Sequence, residues 1–178
     1  MLSDKQQGVL RGMLAAVAIT LVVLALAIAA PPQAFIHAFP GSLAQALKWD
    51  TLVVACLMLC IGLLARHRFF TPEDIDGGGL TSGTAKAHVL QSGLQNTLEQ
   101  AVLAISAHVA WAASMPASWQ AAVPAAAVLF VLGRVLFLRG YAHGAAARAI
   151  GFALTFYPSV AMLLAILGRL AWSVAPHA

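Results

Sequence analysis

Five apolar segments, each near the roughly 20 residues that a helix needs to cross a bilayer, are the strongest constraint on the fold. They cover residues 12–30, 51–65, 89–114, 119–141 and 148–174. The chain has 61% hydrophobic and 9% charged residues and a mean hydropathy of +0.87, far from the composition of soluble proteins. We therefore predict an all-α integral membrane protein with five transmembrane helices.

Lysine and arginine residues predict how these segments are oriented. The basic residues form no continuous patch with interleaved aromatics, so the pI of about 9.6 does not indicate a nucleic-acid partner. Most of them lie before the first segment or in the second and fourth links: Lys5, Arg11, Arg66, Arg68, Lys86, Arg139 and Arg148. The alternate ends carry only Lys48 and Arg169. This asymmetry predicts a cytoplasmic N-terminus and an external C-terminus.

The first segment has an alternative interpretation as a signal peptide. Lys5 and Arg11 form a positive n-region, and "AIA" before Ala30 resembles a cleavage site. Its apolar run, however, exceeds the roughly 7 to 15 residues of a signal-peptide core. We expect it to be retained as a transmembrane helix.

The third segment carries an unexpected polar face. Within "LQNTLEQ", residues 94–100, the side chains of Gln95, Asn96 and Glu99 share one arc of a helical wheel. Counting about 20 residues back from Pro116 puts Glu99 about one turn inside the cytoplasmic boundary. An unpaired carboxylate at that depth is costly, so a partner is expected.

Arg134, in the fourth segment, lies at a matching depth. We expect five side chains to converge in one cytoplasm-facing pocket: Asn96, Glu99, Arg134, Tyr141 and Arg148. Such a pocket is rich in donors and carries net positive charge, which predicts an anionic ligand. In the alternative, Glu99 and Arg134 only neutralise each other while the amides hydrogen-bond neighbouring helices.

Other motif-like features indicate packing residues or loops. "GGGLTSGTAK" in the second link lacks the spacing of a phosphate-binding loop, so we expect a flexible cytoplasmic loop. Cys56 and Cys60 share one helical face and are expected to be packing residues. His108 has no second ligand at i+4 and is expected to hydrogen-bond between helices. We predict no metal site.

Two stretches together, "LQNTLEQ" and "GRVLFLRGYAHGAAARAIGF", resemble the MAPEG family of membrane-associated proteins in eicosanoid and glutathione metabolism. That family includes microsomal glutathione transferases and leukotriene and prostaglandin synthases. The family's N-x-x-E is matched by Asn96 and Glu99, and its inner-helix arginine by Arg134. Its G-Y-A is matched by residues 140–142. In the last helix, the opening arginine is matched by Arg148 and the internal proline by Pro158.

The resemblance covers the chain from about Thr51 to its end and implies a domain organisation. A MAPEG-like four-helix transmembrane bundle is expected at residues 47–178, and an additional N-terminal transmembrane helix with an external link at residues 1–46. It also implies a homotrimer in a bacterial inner membrane, with active sites between protomers that open to the cytoplasm.

The resemblance implies a glutathione-dependent transferase or peroxidase whose second substrate is a lipophilic electrophile from the bilayer. Glutathione, as cosubstrate, is then bound by Asn96, Glu99, Arg134, Tyr141 and Arg66. Arg148 is the expected catalytic residue, because a guanidinium favours the reactive thiolate. Two positions depart from the common pattern, with Ser92 in place of an arginine and Phe137 in place of a tyrosine. They leave open an alternative, a non-catalytic relative that binds a lipid or a partner in the same pocket.

Overall fold

Five long α-helices make up most of residues 2–175, the part of the chain that this computed structural model describes. They are α1 (Asp4–Ala29), α2 (Gly41–Phe69), α3 (Ala85–Ser114), α4 (Ala122–Gly140) and α5 (Ala145–Val174). Each predicted apolar segment falls on one of these helices, which confirms the all-α prediction. The largest difference is at α2, which begins at Gly41 because "SLAQALKW" continues the helix in front of Thr51.

Four helical stretches in the described chain are long and apolar enough to cross a membrane. They are Asp4–Ala29, Gly41–Phe69, Ala117–His143 and Ala145–Val174. The sequence predicts five, and α3 is the one that does not qualify by composition, because its first half carries the polar residues around "LQNTLEQ". A crossing by α3 therefore stays a prediction.

The helix ends follow from local side-chain chemistry. Ser3 caps α1 by accepting a hydrogen bond from the Gln6 backbone, and the Gln6 side chain accepts from Ser3 in return. Thr84 caps α3 in the same way through the Ala87 N–H. Gly144, with φ of +95°, turns the chain between α4 and α5. A left-handed conformation of this kind favours glycine.

Helices α4 and α5 pack closely because glycines face each other where they cross. A Cβ atom added at Gly133 would lie 2.8 Å from the carbonyl oxygen of Gly151 and 2.7 Å from Cγ2 of Thr155. Small residues at a crossing let two membrane helices approach until their backbones touch. This contact sets the distance between the side chains that α4 and α5 contribute to the site described below.

Helix α1 packs into the bundle against α4 and α5. Ala16 of α1 forms a buried cluster with Leu129, Ala153 and Leu154. Gly12 lies so close to α5 that an added Cβ would be 3.0 Å from the Ile150 nitrogen. The N-terminal halves of α1 and α5 are therefore side by side.

Candidate functional site

Arg134 lies at the centre of the predicted polar residues and joins three helices. Its side chain is buried in α4, with 1% of the residue exposed. Nη1 donates to Oδ1 of Asn96 at 2.9 Å and to Oγ1 of Thr97 at 3.3 Å, both on α3. Nη2 donates to Oγ1 of Thr155 on α5 at 2.6 Å. One guanidinium thus fixes α4 to α3 and α5 at the same level of the bundle.

The charge of Arg134 is solvated by neutral groups. No carboxylate forms an ion pair with it within residues 2–175. Instead, the guanidinium carbon lies 4.4 Å from the ring centre of Phe137 and 5.6 Å from that of Phe130. Aromatic faces attract cations, and this attraction strengthens when the pair is removed from water. The buried cation is therefore held by two rings, two hydroxyls and one amide oxygen.

Asn96 is oriented by its bond to Arg134. Because the guanidinium can only donate, the amide oxygen of Asn96 must face it, and the amide nitrogen must face the other way. The side chain is half-buried, and none of the hydrogen bonds in the described chain uses its Nδ2. Two donors are thus held in a fixed direction and are free for a ligand.

Glu99 does not pair with Arg134 in the structure. Its carboxylate lies on the exposed side of α3, where Oε1 accepts a hydrogen bond from Nε2 of Gln95 at 3.0 Å. Asn96, one turn earlier on α3, takes the position that we expected for the carboxylate. Glu99 is therefore accessible rather than neutralised inside the bundle.

Tyr141 and Arg148 lie together beside this network. The guanidinium carbon of Arg148 is 4.5 Å from the ring centre of Tyr141. The Phe137 ring contacts Tyr141 edge-on at 5.3 Å and also contacts Arg134, so it links the two arginines. Both Tyr141 and Arg148 are half-buried, and Arg148 has no ion pair among the described residues. The structure thus connects four of the predicted residues, Asn96, Arg134, Tyr141 and Arg148.

Arg66 forms no ion pair with any residue of the described chain. It is exposed on the last turn of α2 and lines a cavity of about 340 Å³ together with Lys86, His67 and Phe70. The part that the family resemblance gives Arg66 in binding glutathione stays a prediction.

A small apolar cavity of about 160 Å³ borders Tyr141. Its walls include Cys60, Gly93, Leu94 and Leu138. The Cys60 thiol lies 3.5 Å from Oγ1 of Thr97, whose hydroxyl hydrogen is used by the Gly93 carbonyl at 2.7 Å. Apolar space of this size suits a ring or a short chain.

Several hydrogen bonds in the link between α2 and α3 converge on Asp74, although we expected a flexible loop. The Asp74 carboxylate accepts from the Thr84 N–H at 2.8 Å, from the Thr84 hydroxyl at 2.6 Å, and from Nε2 of His67 at 2.9 Å. The hydrogen bond from the Thr84 side chain is the largest cause that holds the pKa of Asp74 below its ordinary value of 3.8. Since Thr84 also caps α3, this network positions the start of the helix that carries Asn96.

Sequence reasoning missed a buried hydrogen bond between an aspartate of α2 and a histidine of α3. Nδ1 of His108 lies 2.6 Å from Oδ1 of Asp50, and both residues are almost completely buried. We predicted that His108 bonds a neighbouring helix, but Asp50 lies just outside the apolar segment that starts at Thr51. The signal was available, because Ala46, Asp50 and Val53 follow the spacing of one helical face. Among residues 2–175, no three His, Cys, Asp or Glu side chains are grouped to hold a metal.

Comparison with known proteins gives one match. The model of the MAPEG family matches residues 13–168, which is most of the chain and includes α1 from Met13 onward. No curated protein and no solved structure matches significantly. The matched region contains Asn96, Glu99, Arg134, Tyr141 and Arg148 at the positions where the two motif stretches resemble the family. The chain therefore belongs to the MAPEG family.

Proposed function

We propose that this protein is a membrane-embedded, glutathione-dependent transferase or peroxidase that acts on lipophilic electrophiles. The observation that carries the proposal is the continuous set of contacts from Asn96 through Arg134 and Phe137 to Tyr141 and Arg148. MAPEG proteins are generally glutathione-dependent transferases or peroxidases, and this set supplies fixed donors and an unpaired cation for an anionic tripeptide.

Arg148 is the proposed catalytic residue. A thiol reacts as its anion, and a cation beside it lowers the free energy of that anion. Arg148 suits this role because it is half-exposed, has no ion pair in the described chain, and is held over the Tyr141 ring. In conjugation, the thiolate sulfur forms a bond to the electrophilic carbon, and the displaced group leaves with its electron pair.

Asn96, Glu99 and Tyr141 are proposed to hold the tripeptide. The two Nδ2 donors of Asn96 suit a carboxylate or a peptide carbonyl, and the exposed Glu99 carboxylate suits the ammonium group of the glutamyl end. Arg134, although buried, contributes by fixing the direction of the Asn96 amide. Its proposed role is thus positioning rather than direct contact.

Arg66 is proposed to reach the site from a second protomer. We propose a homotrimer in which the exposed end of α2 of one protomer faces the Asn96 and Arg148 group of the next. The exposure of Arg66, which has no ion pair among the described residues, supports this arrangement.

The electrophile is proposed to arrive from the bilayer. The cavity of about 160 Å³ beside Tyr141 has mainly apolar walls, and several of its leucine and valine residues are also exposed on the outer face of the bundle. In this arrangement α2–α5 form a four-helix unit and α1 packs on α4 and α5. The boundary expected between residues 46 and 47 falls inside α2, which begins at Gly41, and the family model also covers α1 from Met13 onward, so the division into an added helix and a four-helix unit stays a prediction. We also propose that α3 crosses the membrane, that the N-terminus is cytoplasmic and the C-terminus external, and that the membrane is a bacterial inner membrane.

Glutathione-dependent conjugation of an activated aryl chloride by the purified protein in nanodiscs tests this function. Arg148→Ala is expected to lower kcat by roughly 100-fold, as when one group that stabilises developing negative charge is removed. Arg139→Ala is the matched control, because it removes an exposed arginine from the end of α4 that leads into α5, and it is expected to keep activity. Equal activity of Arg148→Ala and wild type contradicts the assigned mechanism.

A second candidate, a non-catalytic lipid-binding or partner-binding protein, is favoured by Ser92 and Phe137. Phe137 is 4% exposed and offers no hydroxyl, and Ser92 offers no charge. This candidate predicts that a lipid, but not millimolar glutathione, raises the unfolding temperature. Thermal unfolding with each ligand separates the two candidates.

A further inference from the structure

Three polar side chains on the exposed face of α3 follow one another at four-residue spacing. They are Gln91, Gln95 and Glu99, which lie on successive turns and form one polar strip. Arg68, in the last turn of α2, extends the strip, because its Nη2 donates to Oε1 of Gln91 at 3.2 Å. At the other end, Nε2 of Gln95 donates to Oε1 of Glu99 at 3.0 Å. The strip therefore has a cation at one end and a carboxylate at the other.

These two hydrogen bonds fix the direction of both glutamine amides. A guanidinium only donates, so the Gln91 oxygen must face Arg68 and its Nε2 must face away. A carboxylate only accepts, so Nε2 of Gln95 must face Glu99 and its Oε1 must face away. Within residues 2–175, no hydrogen bond uses Nε2 of Gln91, Oε1 of Gln95 or Oε2 of Glu99. The strip thus offers, in order, a carboxylate oxygen, an amide oxygen, an amide nitrogen and a guanidinium.

Arg68 borders a cavity of about 440 Å³ between α2, α3 and the glycine-rich link. It is half-buried and forms no ion pair in the part of the chain that the structure describes. The link lies close to the guanidinium, since a Cβ added at Gly78 would be 3.8 Å from Nη2. No hydrogen bond of the described residues uses the N–H of Gly78 or Gly79, so both can donate to an anion. Asp74, the carboxylate in the wall, already accepts three hydrogen bonds. The cavity therefore leaves Arg68 available to an anionic group.

The length and the polarity of the strip match a short peptide with free ends. Gln91 and Glu99 are eight residues apart, which is about 12 Å along the helix axis at 1.5 Å per residue. A peptide of three residues spans about 10–11 Å when extended. From its amino to its carboxyl end, such a peptide presents an ammonium group, peptide N–H and C=O groups, and a carboxylate. The strip presents the partners of these groups in the same order, from Glu99 to Arg68.

We propose that Arg68 binds the glycyl carboxylate of glutathione and makes the site selective for a ligand with that charge. This inference rests on the glutathione-dependent function proposed above and adds to it a residue of α2 and the cavity under the glycine-rich link. Glu99 receives the ammonium group, Gln95 and Gln91 receive the peptide groups, and Arg68 receives the carboxylate at the far end. Gln91 positions Arg68 by accepting its hydrogen bond.

Calorimetric titration in nanodiscs with two probes tests the proposal. The probes are glutathione and its glycyl monoethyl ester, which differ only in the charge of the carboxylate assigned to Arg68. We expect wild type to bind glutathione at least tenfold more tightly than the ester, since a bond between two charged groups is lost in the ester. Arg68→Gln should raise the Kd of glutathione about tenfold and leave the Kd of the ester unchanged. Unchanged binding of the ester also shows that the variant is folded.

Two further variants complete the test. Arg139→Gln removes an exposed arginine outside the strip and is the control, with both Kd values expected to stay the same. Gln91→Glu retains Arg68 but places a carboxylate within reach of its Nη2. The new ion pair occupies the guanidinium, so glutathione should lose its advantage over the ester in this variant.

The possible results separate this inference from the function on which it rests. The proposal for Arg68 is overturned, and the glutathione-dependent function stands, if wild type binds glutathione and the ester equally. The same holds if Arg68→Gln binds glutathione like wild type, or if it weakens both probes to the same extent. Failure of wild type to bind either probe overturns the proposed function itself, and the role of Arg68 with it.

Discussion

Replacing Arg134 by lysine tests whether one guanidinium holds three helices together. Arg134 donates from Nη1 towards α3 and from Nη2 towards α5. Lysine keeps the charge, but its single nitrogen lacks the planar fork that reaches Asn96 and Thr155 at once. At least one hydrogen bond to a charged group is lost, which corresponds to about 1.5–3 kcal/mol. We expect the free energy of unfolding to fall by that amount.

Unfolding of the detergent-solubilised protein by a denaturing detergent measures this change. Arg139→Lys is the control, because Arg139 is exposed at the end of the same helix. This substitution should change the free energy of unfolding by no more than about 0.5 kcal/mol. Arg134→Lys should also weaken glutathione binding, since the Asn96 amide is no longer oriented. If Arg134→Lys unfolds like the control, the three-helix link does not stabilise the bundle.

Three further changes test other parts of the fold. Gly151→Ala should overpack the α4–α5 crossing and cost about 1–3 kcal/mol in unfolding experiments, whereas Gly168→Ala, with no neighbour within 4 Å, should not. Asp74→Asn should lower the unfolding temperature at neutral pH. Because folding lowers the pKa of Asp74, the stabilisation that its carboxylate provides is present above pH 3.8 and is lost as the pH falls through the lower folded-state pKa. The unfolding temperatures of Asp74→Asn and wild type should therefore become equal at such acidic pH. His108→Leu should cost about 1–3 kcal/mol by leaving the buried Asp50 side chain without its hydrogen-bond partner, and adding Asp50→Leu should recover part of that loss; no recovery would show that the pair is not coupled.

The positions of the helices could be predicted from the sequence because apolar length and helix-ending residues are local signals. The pairing of polar side chains could not, since it depends on rotation of α3 about its axis. Depth alone made Glu99 a suitable partner for Arg134, yet the rotation turns Glu99 outward and presents Asn96. Thr155, which completes the link, carries no sequence signal that distinguishes it from other threonines in apolar helices.

Residues near segment boundaries were the other source of error. The apolar segment starts one residue after Asp50, so the sequence pattern places no carboxylate opposite His108. The glycine content of the link predicts a flexible loop, because composition reports only the conformational freedom of the backbone. It does not reveal that the Asp74 carboxylate accepts three hydrogen bonds. The contact of Asp50 joins residues 58 apart in the chain, and those of Asp74 join residues 7 and 10 apart, so neither follows from the spacing within one helix.

Calorimetric titration of the purified protein with reduced glutathione tests the central claim most directly, because it needs no knowledge of the second substrate. We predict saturable binding in the millimolar range or tighter that is weakened by Asn96→Ala and by Glu99→Gln and unchanged by Arg139→Ala. Absence of binding heat at millimolar glutathione, from a protein that still binds a lipid, would contradict the proposed transferase or peroxidase function.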